Sequence, residues 1–439
     1  MREDEQLIRW ISSKTWVTLP DDVKEHTLLS IFNYLAVAIH GTSSQAAQLA
    51  WDAVGSRVGD YPVLGQNGGS DKYTAALING IAAHVDDYDD THLHTVIHPC
   101  APVVSSVIPI VMEQKCTGQE FLEAVALGCE IALRLGVAIS PEHYDEGWHI
   151  TSTCGGVGAA LAVSKVMKLD DTLTSNAISM AGSQASGLQS AFGSMAKSLH
   201  AGIAAQNGLM STSLVSNGLR FSGFLTNSPG SFVSVWGGRF EPSSLFREGS
   251  WELLSNSFKP YPCGVVTHPA IDAGIALSKV LGAADAIDTV MLNVNPLVLE
   301  LTNKYKPTTG LDGKFSVHYC VAAALLDGCL DLRHFTDEAV HRSEVLKLQE
   351  RIRVVPDVGV NRDSCQATVQ LASGDVRTMR IEHATGSLYN PMNFEKLLEK
   401  AENLIDPVLG TGRAREIWAE LEMLPRRASV NYLLHLTTA

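Results

Sequence analysis

The stretch TGQEFLEAVALGCEIALRLGVAI, Thr117 to Ile139, decides the fold class. Thr117-Gly-Gln-Glu120 is a capping-box pattern, in which a threonine hydroxyl and a glutamate carboxylate satisfy free backbone N–H groups at a helix start. It predicts a helix beginning near residue 118. Outward from it, from about residue 20 to 220, apolar residues recur at three- and four-residue spacing, as in Leu28, Leu29, Phe32, Leu35 and Ala36. A second helix is expected over 72–88, with Leu77, Ile81, Val85 and Tyr88 along an apolar stripe. GGVGAALAVSKV (155–166) lacks the Gly-Lys-Ser/Thr ending and the preceding strand of a phosphate loop, so its glycines are read as close helix packing.

After residue 258 the texture changes. TVMLNVNP (289–296) alternates apolar residues, QATVQLASGDVRTMRIE (366–382) reads as two strands around a Ser-Gly-Asp turn, and ERIRVV (350–355) is a further strand. Helical segments are expected near 268–282, 316–330 and 393–403. The expected fold is mainly α, with an all-helical domain over 1–257 and 393–439 and a smaller α+β domain over 258–392.

Bulk properties narrow the function. The chain has 439 residues, 45% of them hydrophobic and 18% charged, with 36 glycines, which favours closely packed helices. A net charge of −14 and the absence of a basic run argue against a nucleic-acid partner. An anionic substrate would need a few focused cations in a cleft. The opening MREDEQLIRWISSK lacks an apolar core of signal-peptide length, and no later run is long enough to span a bilayer, so a cytoplasmic protein without membrane contact is expected. The eight cysteines are scattered without metal-site spacing and are expected to be reduced and mostly buried.

Five polar constellations carry the chemistry. HVDDYDDTHLHTVIHP, His84 to Pro99, packs Asp86, Asp87, Asp89 and Asp90 with His84, His92, His94 and His98. Aspartates oppose the dipole at a helix C-terminus, so they need another reason to be there. Proton transfer, a polar turn, and a metal held by His92 and His94 all remain open readings. In EGWHITST, His149 precedes a helix whose cap would be Ser152 or Thr153, and the positive helix end would keep it neutral. Lys197 and His200 lie at i and i+3 in GSMAKSLHAGIAAQNG. Pro260 and Pro262 in SFKPYPCGVVTHPAIDA break any helix, Thr267 can cap a new one, and Lys259 and His268 sit on the resulting hinge. Tyr319 presents a phenol in KFSVHYC.

In order and relative spacing these segments, with TGSLYNPMNFEKLLEK (385–400), resemble the MmgE/PrpD family over essentially the whole chain. The resemblance implies a helical domain with an α+β lid, a homodimer, a site in the cleft between the domains, and no metal or organic cofactor. It also implies catalytic roles for Asp87, His98, His149, Lys197 and Tyr319. Thr91 and Lys259 would contact substrate, and His200 and His268 join them as substrate-binding candidates. Many relatives carry an arginine after the KPYP motif where this chain has Val265, which removes a bidentate carboxylate clamp and suggests a substrate with fewer carboxylates than a tricarboxylate.

The expected chemistry is a carbanion made or quenched beside a carboxylate of a small organic acid. His149 or His98 would exchange the proton, Lys197 would stabilise the enolate-like charge, Asp87 would orient a histidine, and Tyr319 would donate to the leaving group or product. A lyase, dehydratase or decarboxylase, is the leading reading. An epimerase of a dicarboxylate, a metal-dependent hydrolase using His92 and His94, and a non-catalytic helical scaffold are the rivals.

Overall fold

The computed structural model describes residues 3–54, 58–221, 225–226, 229–236, 240–247, 249–281 and 287–439. Its site-building helices are α1 (Asp21–Gly41), α2 (Lys72–Val85), α3 (Cys100–Val107), α4 (Gly118–Ile139), α5 (Ile150–Val166), α6 (Asp171–Ser183) and α7 (Ala196–Ser216). The fold is mainly α with a smaller α+β part, as the periodicity predicts. The capping box forms: Thr117 Oγ1 accepts from the Glu120 N–H at 3.3 Å, and Glu120 Oε2 accepts from the Thr117 N–H at 2.9 Å. α4 then runs almost wholly buried into the bundle.

Small residues set how closely the helices approach. A Cβ on Gly202 of α7 would lie 2.4 Å from the Leu77 carbonyl oxygen of α2, and one on Gly158 of α5 would lie 2.5 Å from the Gly128 carbonyl oxygen of α4. Only glycine allows these backbones to touch. The reading of residues 155–166 as packing glycines therefore holds, and the α2–α7 crossing brings Lys197 alongside the end of α2.

The α+β part contains α8 (His268–Ser278), β1 (Ile287–Val294), α9 (Val317–Asp327), β2 (Ile352–Pro356), β3 (Cys365–Leu371) and β4 (Val376–Ile381). Its sheet runs β2-β1-β3-β4, with β1 and β2 parallel and the other pairs antiparallel. Strands β3 and β4 flank the expected Ser-Gly-Asp turn, where Gly374 adopts φ +92°. β3 alternates buried and exposed residues, laying Cys365, Ala367, Val369 and Leu371 on a core shared with α8 and α9. The helix expected over 268–282 ends at Ser278, and residue 282 lies outside the described residues. Thr267 stands at the start of α8, but its hydroxyl donates to the Gly264 carbonyl at 2.7 Å instead of capping the helix.

After residue 393 come α10 (Phe394–Leu409), α11 (Arg413–Met423) and α12 (Asn431–Leu436), which return to the first bundle. Leu397, Ala401, Leu404 and Ile405 join one core with Phe32 and Leu35 of α1. All eight cysteines are unpaired, and only Cys329 is exposed. Among the described residues, no helix is long and apolar enough to cross a membrane.

Candidate active site

The site grows from the end of α2. Asp71 caps the helix start by accepting from the Tyr73 and Thr74 N–H groups. The helix stops at Val85, three residues short of expectation, because Asp87 takes a left-handed conformation at φ +51°. Aspartate tolerates that conformation better than most residues, and it turns the chain out of the helix. Thr91 and His92 then pair with Ser257 and Asn256 in a two-residue antiparallel bridge, tying this segment to the approach to the KPYP hinge.

Each aspartate of the segment has its own partner set, which answers why four acids crowd a helix C-terminus. Asp86 meets His40 Nδ1 at 2.7 Å. Asp87 Oδ1 accepts from Lys197 Nζ at 2.7 Å and Lys259 Nζ at 3.1 Å. Asp89 bridges His84 Nδ1 at 2.7 Å and His98 Nδ1 at 3.2 Å. Asp90 accepts from Asn256 Nδ2 at 2.6 Å. Buried carboxylates persist only with such pairing.

The expectation that Asp87 orients a histidine is therefore corrected. Asp89 has that role, and Asp87 is the counter-ion of two lysines. Burial alone would raise the Asp87 carboxyl, but the Lys197 and Lys259 ammoniums hold it well below the usual carboxylate range. Burial would likewise raise Asp89, and His98 and His84 hold it well below that range. Burial, reinforced by Lys197, pulls His84 down to about 4.

Six sequence candidates line one cavity: Asp87, Thr91, His98, His149, Lys197 and Lys259. His149 is itself the residue at the cap position of α5, so the cap is not Ser152 or Thr153. Burial first, then His84 and Lys197, keeps the His149 imidazole well below its ordinary value and hence neutral. His149 Nδ1 is 3.0 Å from His200 Nδ1, which leaves Nε2 for a ligand. His98 Nδ1 faces Thr91 Oγ1 at 3.1 Å as well as Asp89. The remaining lining is largely apolar, with Val96, Phe192, Val265, Val266, Leu301 and Phe315.

Three candidates stand elsewhere. His200 is behind His149 and does not line the cavity. His268 lines a neighbouring cavity that shares Lys259 and Val265 with the first. Tyr319 is 1% exposed in the α+β core, where its hydroxyl donates to the His334 carbonyl, so it does not bring a phenol to the cavity. Tyr144 does line it, five residues before His149, and the sequence reading missed it.

Two further lysines were also missed. Lys314 Nζ donates to the Asp86 carbonyl at 2.6 Å and the Pro262 carbonyl at 3.0 Å. Lys400 Nζ, from α10, donates to the carbonyls of Tyr88 at 2.6 Å and Lys259 at 3.0 Å and to Asn33 Oδ1 at 2.8 Å. A lysine between Leu397 and Ala401 on the buried stripe of α10 was the readable signal.

The His92/His94 metal site does not assemble. His92 Nδ1 bonds Thr95 Oγ1 at 2.8 Å and its Nε2 faces Glu252 at 3.4 Å, whereas His94 is exposed. Among the described residues the group with ligand atoms close enough to share an ion is His84, Asp87, Asp89 and His98, within 4.8 Å of one another. The charge there opposes a cation, since the Asp87 oxygen already carries two ammoniums.

Residues 5–243 match the MmgE/PrpD N-terminal domain and residues 261–425 the MmgE/PrpD C-terminal domain. A cis-aconitate decarboxylase of Mus musculus is 29% identical over 349 residues, covering 74% of this chain and 70% of that protein. One of Aspergillus terreus is 26% identical over 470 residues, covering 98% and 95%. One of Homo sapiens is 28% identical over 345 residues, covering 74% and 71%.

Proposed function

The chain belongs to the MmgE/PrpD family, and from that premise we propose that it is a cofactor-independent lyase removing carbon dioxide from a small unsaturated organic acid. The similarity to cis-aconitate decarboxylases supports an enzyme of the dehydratase or decarboxylase type. The observation that carries decarboxylation is that one cavity is lined both by two ammoniums, Lys197 and Lys259, and by a set of apolar side chains.

Breaking a C–CO₂ bond leaves an electron pair on carbon, which must be delocalised toward a group that stays behind. In this reading a retained carboxylate pairs with Lys197 and Lys259, and these fixed charges stabilise the enolate-like state. The departing carboxylate lies among the apolar side chains, where poor solvation favours its loss as a neutral molecule. His98 delivers the proton that quenches the carbanion, a step typically contributing about 10² to 10⁴ in rate, and the neutral His149 imidazole contacts the substrate through Nε2. Asp89 orients the His98 imidazole by pairing with it, and the Tyr144 phenol supports the substrate as a hydrogen-bond donor. The reading takes the working unit to be a cytoplasmic homodimer, which light scattering and fractionation test.

Two lining histidines with separate partners, Asp89 for His98 and His200 for His149, favour a second reading in which protons are exchanged from two positions, as in dehydration or epimerisation. Incubation with unsaturated and hydroxylated small acids in deuterium oxide, followed by NMR, separates them. Decarboxylation yields carbon dioxide and one carbon-bound deuterium per product. Epimerisation yields deuterium at a stereocentre with the carbon skeleton intact, and dehydration yields a new double bond.

A further inference from the structure

The reaction cavity carries a charge count that limits its substrate. Lys197 and Lys259 share the single carboxylate of Asp87, so these three side chains together carry one positive charge for a bound anion. Asp89 meets His84 and His98 rather than either lysine. Val265, Val266, Leu301 and Phe315 also line the cavity, and among the described residues no arginine lines it. Lys197 Nζ is 5.7 Å from the Phe192 ring and 5.4 Å from the Phe315 ring, so aromatic carbon bounds the ammonium on that side. A carboxylate held among these apolar side chains is desolvated without a cationic partner.

Such a position is tolerable for one carboxylate only, the one that leaves. We propose that the substrate is a β,γ-unsaturated dicarboxylate whose remaining branch is hydrocarbon, the 3-alkylglutaconate type, and that Val265 excludes a third carboxylate. The inference rests on the decarboxylase reading and adds the identity of the branch. In the balanced step the C–CO₂ bond breaks and its electron pair forms a new C=C bond. The old double-bond pair takes a proton from a site histidine at the carbon beside the retained carboxylate. The dianion and one proton become a monoanionic 3-alkylbut-3-enoate and carbon dioxide.

Two measurements on the full-length wild-type protein test this separately. Calorimetry compares two unreactive saturated acids, 3-methylglutarate and tricarballylate, and NMR follows carbon dioxide release from 3-methylglutaconate and cis-aconitate. The expected results are at least about tenfold tighter binding of 3-methylglutarate and at least tenfold higher kcat/KM for 3-methylglutaconate, as befits a site that leaves a buried charge unpaired. Tighter binding of tricarballylate, or binding of neither acid, overturns the inference. The expected binding preference without carbon dioxide release from either acid sinks the decarboxylase reading and upholds the acid class. Val265→Arg should move both preferences toward the tricarboxylates; a Val265→Arg protein with native circular dichroism and unchanged preferences counts against Val265 as the determinant.

Discussion

Replacing Asp87 by Asn tests the two lining ammoniums most directly. The carboxylate is 3% exposed and one of its oxygens accepts from two ammoniums, at 2.7 and 3.1 Å, which are themselves 7% and 2% exposed. Asparagine keeps the shape and an acceptor but removes the charge, leaving two buried cations without a counter-ion. Removing one partner of a buried pair costs about 3–5 kcal/mol, which corresponds to roughly two to three and a half decades in the folded-to-unfolded ratio at about 1.4 kcal/mol per decade. Urea unfolding followed by circular dichroism at pH 7 should show that loss. The sign of its pH dependence is fixed by the depressed carboxyl. A folded value below the unfolded one contributes stability that is present above about pH 4 and is lost as pH falls through the folded value. The gap between wild type and Asp87→Asn should therefore narrow on acidification below pH 4. Anion affinity should change in the opposite sense, because the cavity gains positive charge while the fold weakens. A stability change below about 1 kcal/mol at pH 7 would refute the argument, since it would mean that the lysines do not depend on Asp87.

His149→Ala should lower turnover by about 10² to 10⁴ while the thermal midpoint stays near wild type, and unchanged turnover would remove His149 from the reaction. Gly202→Ala forces a methyl to within 2.4 Å of the Leu77 carbonyl oxygen; a loss of about 1–3 kcal/mol in urea unfolding is expected, and an unchanged midpoint would show that the α2–α7 crossing tolerates a side chain. Lys400→Met leaves the Tyr88 and Lys259 carbonyls unpaired, at about 1–3 kcal/mol for each orphaned group, and should reduce turnover although residue 400 does not line the reaction cavity. Dialysis against a chelator should leave turnover of the active acid unchanged, with retained activity read by NMR; loss restored by a divalent cation would favour an ion among His84, Asp87, Asp89 and His98.

What was legible in the sequence depended on how local its cause is. The Thr117–Glu120 capping box and the Ser-Gly-Asp turn are made by neighbours in the chain, and both form as read. The site segments were also legible because unusual residue types concentrate there: acids at a helix C-terminus, a histidine beside a helix start, a lysine among glycines and alanines. Roles within those segments were not. One left-handed residue, Asp87, ends α2 early and decides which aspartate meets the lysines and which meets the histidines, and periodicity carries no record of it. Tyr319 and Tyr144 are both phenols near a helix start, and only the packing of α9 against the sheet assigns the first to the core and leaves the second at the cavity. The Lys197–Asp87 pair joins residues 110 positions apart, a contact that no single segment announces.

The clasp made by Lys400 has a consequence for how the enzyme comes into being. The loop of Asp86 to Asp90 and the hinge at Lys259 are held by carbonyl contacts to a lysine nitrogen that the ribosome delivers long after both. A nascent chain emerging from the exit tunnel therefore contains all the acid–base groups before it contains the clasp that fixes their spacing. Activity should switch on late in synthesis, when α10 docks, and a chain cut short before that helix would carry a full complement of reactive side chains in a site that has not yet been set.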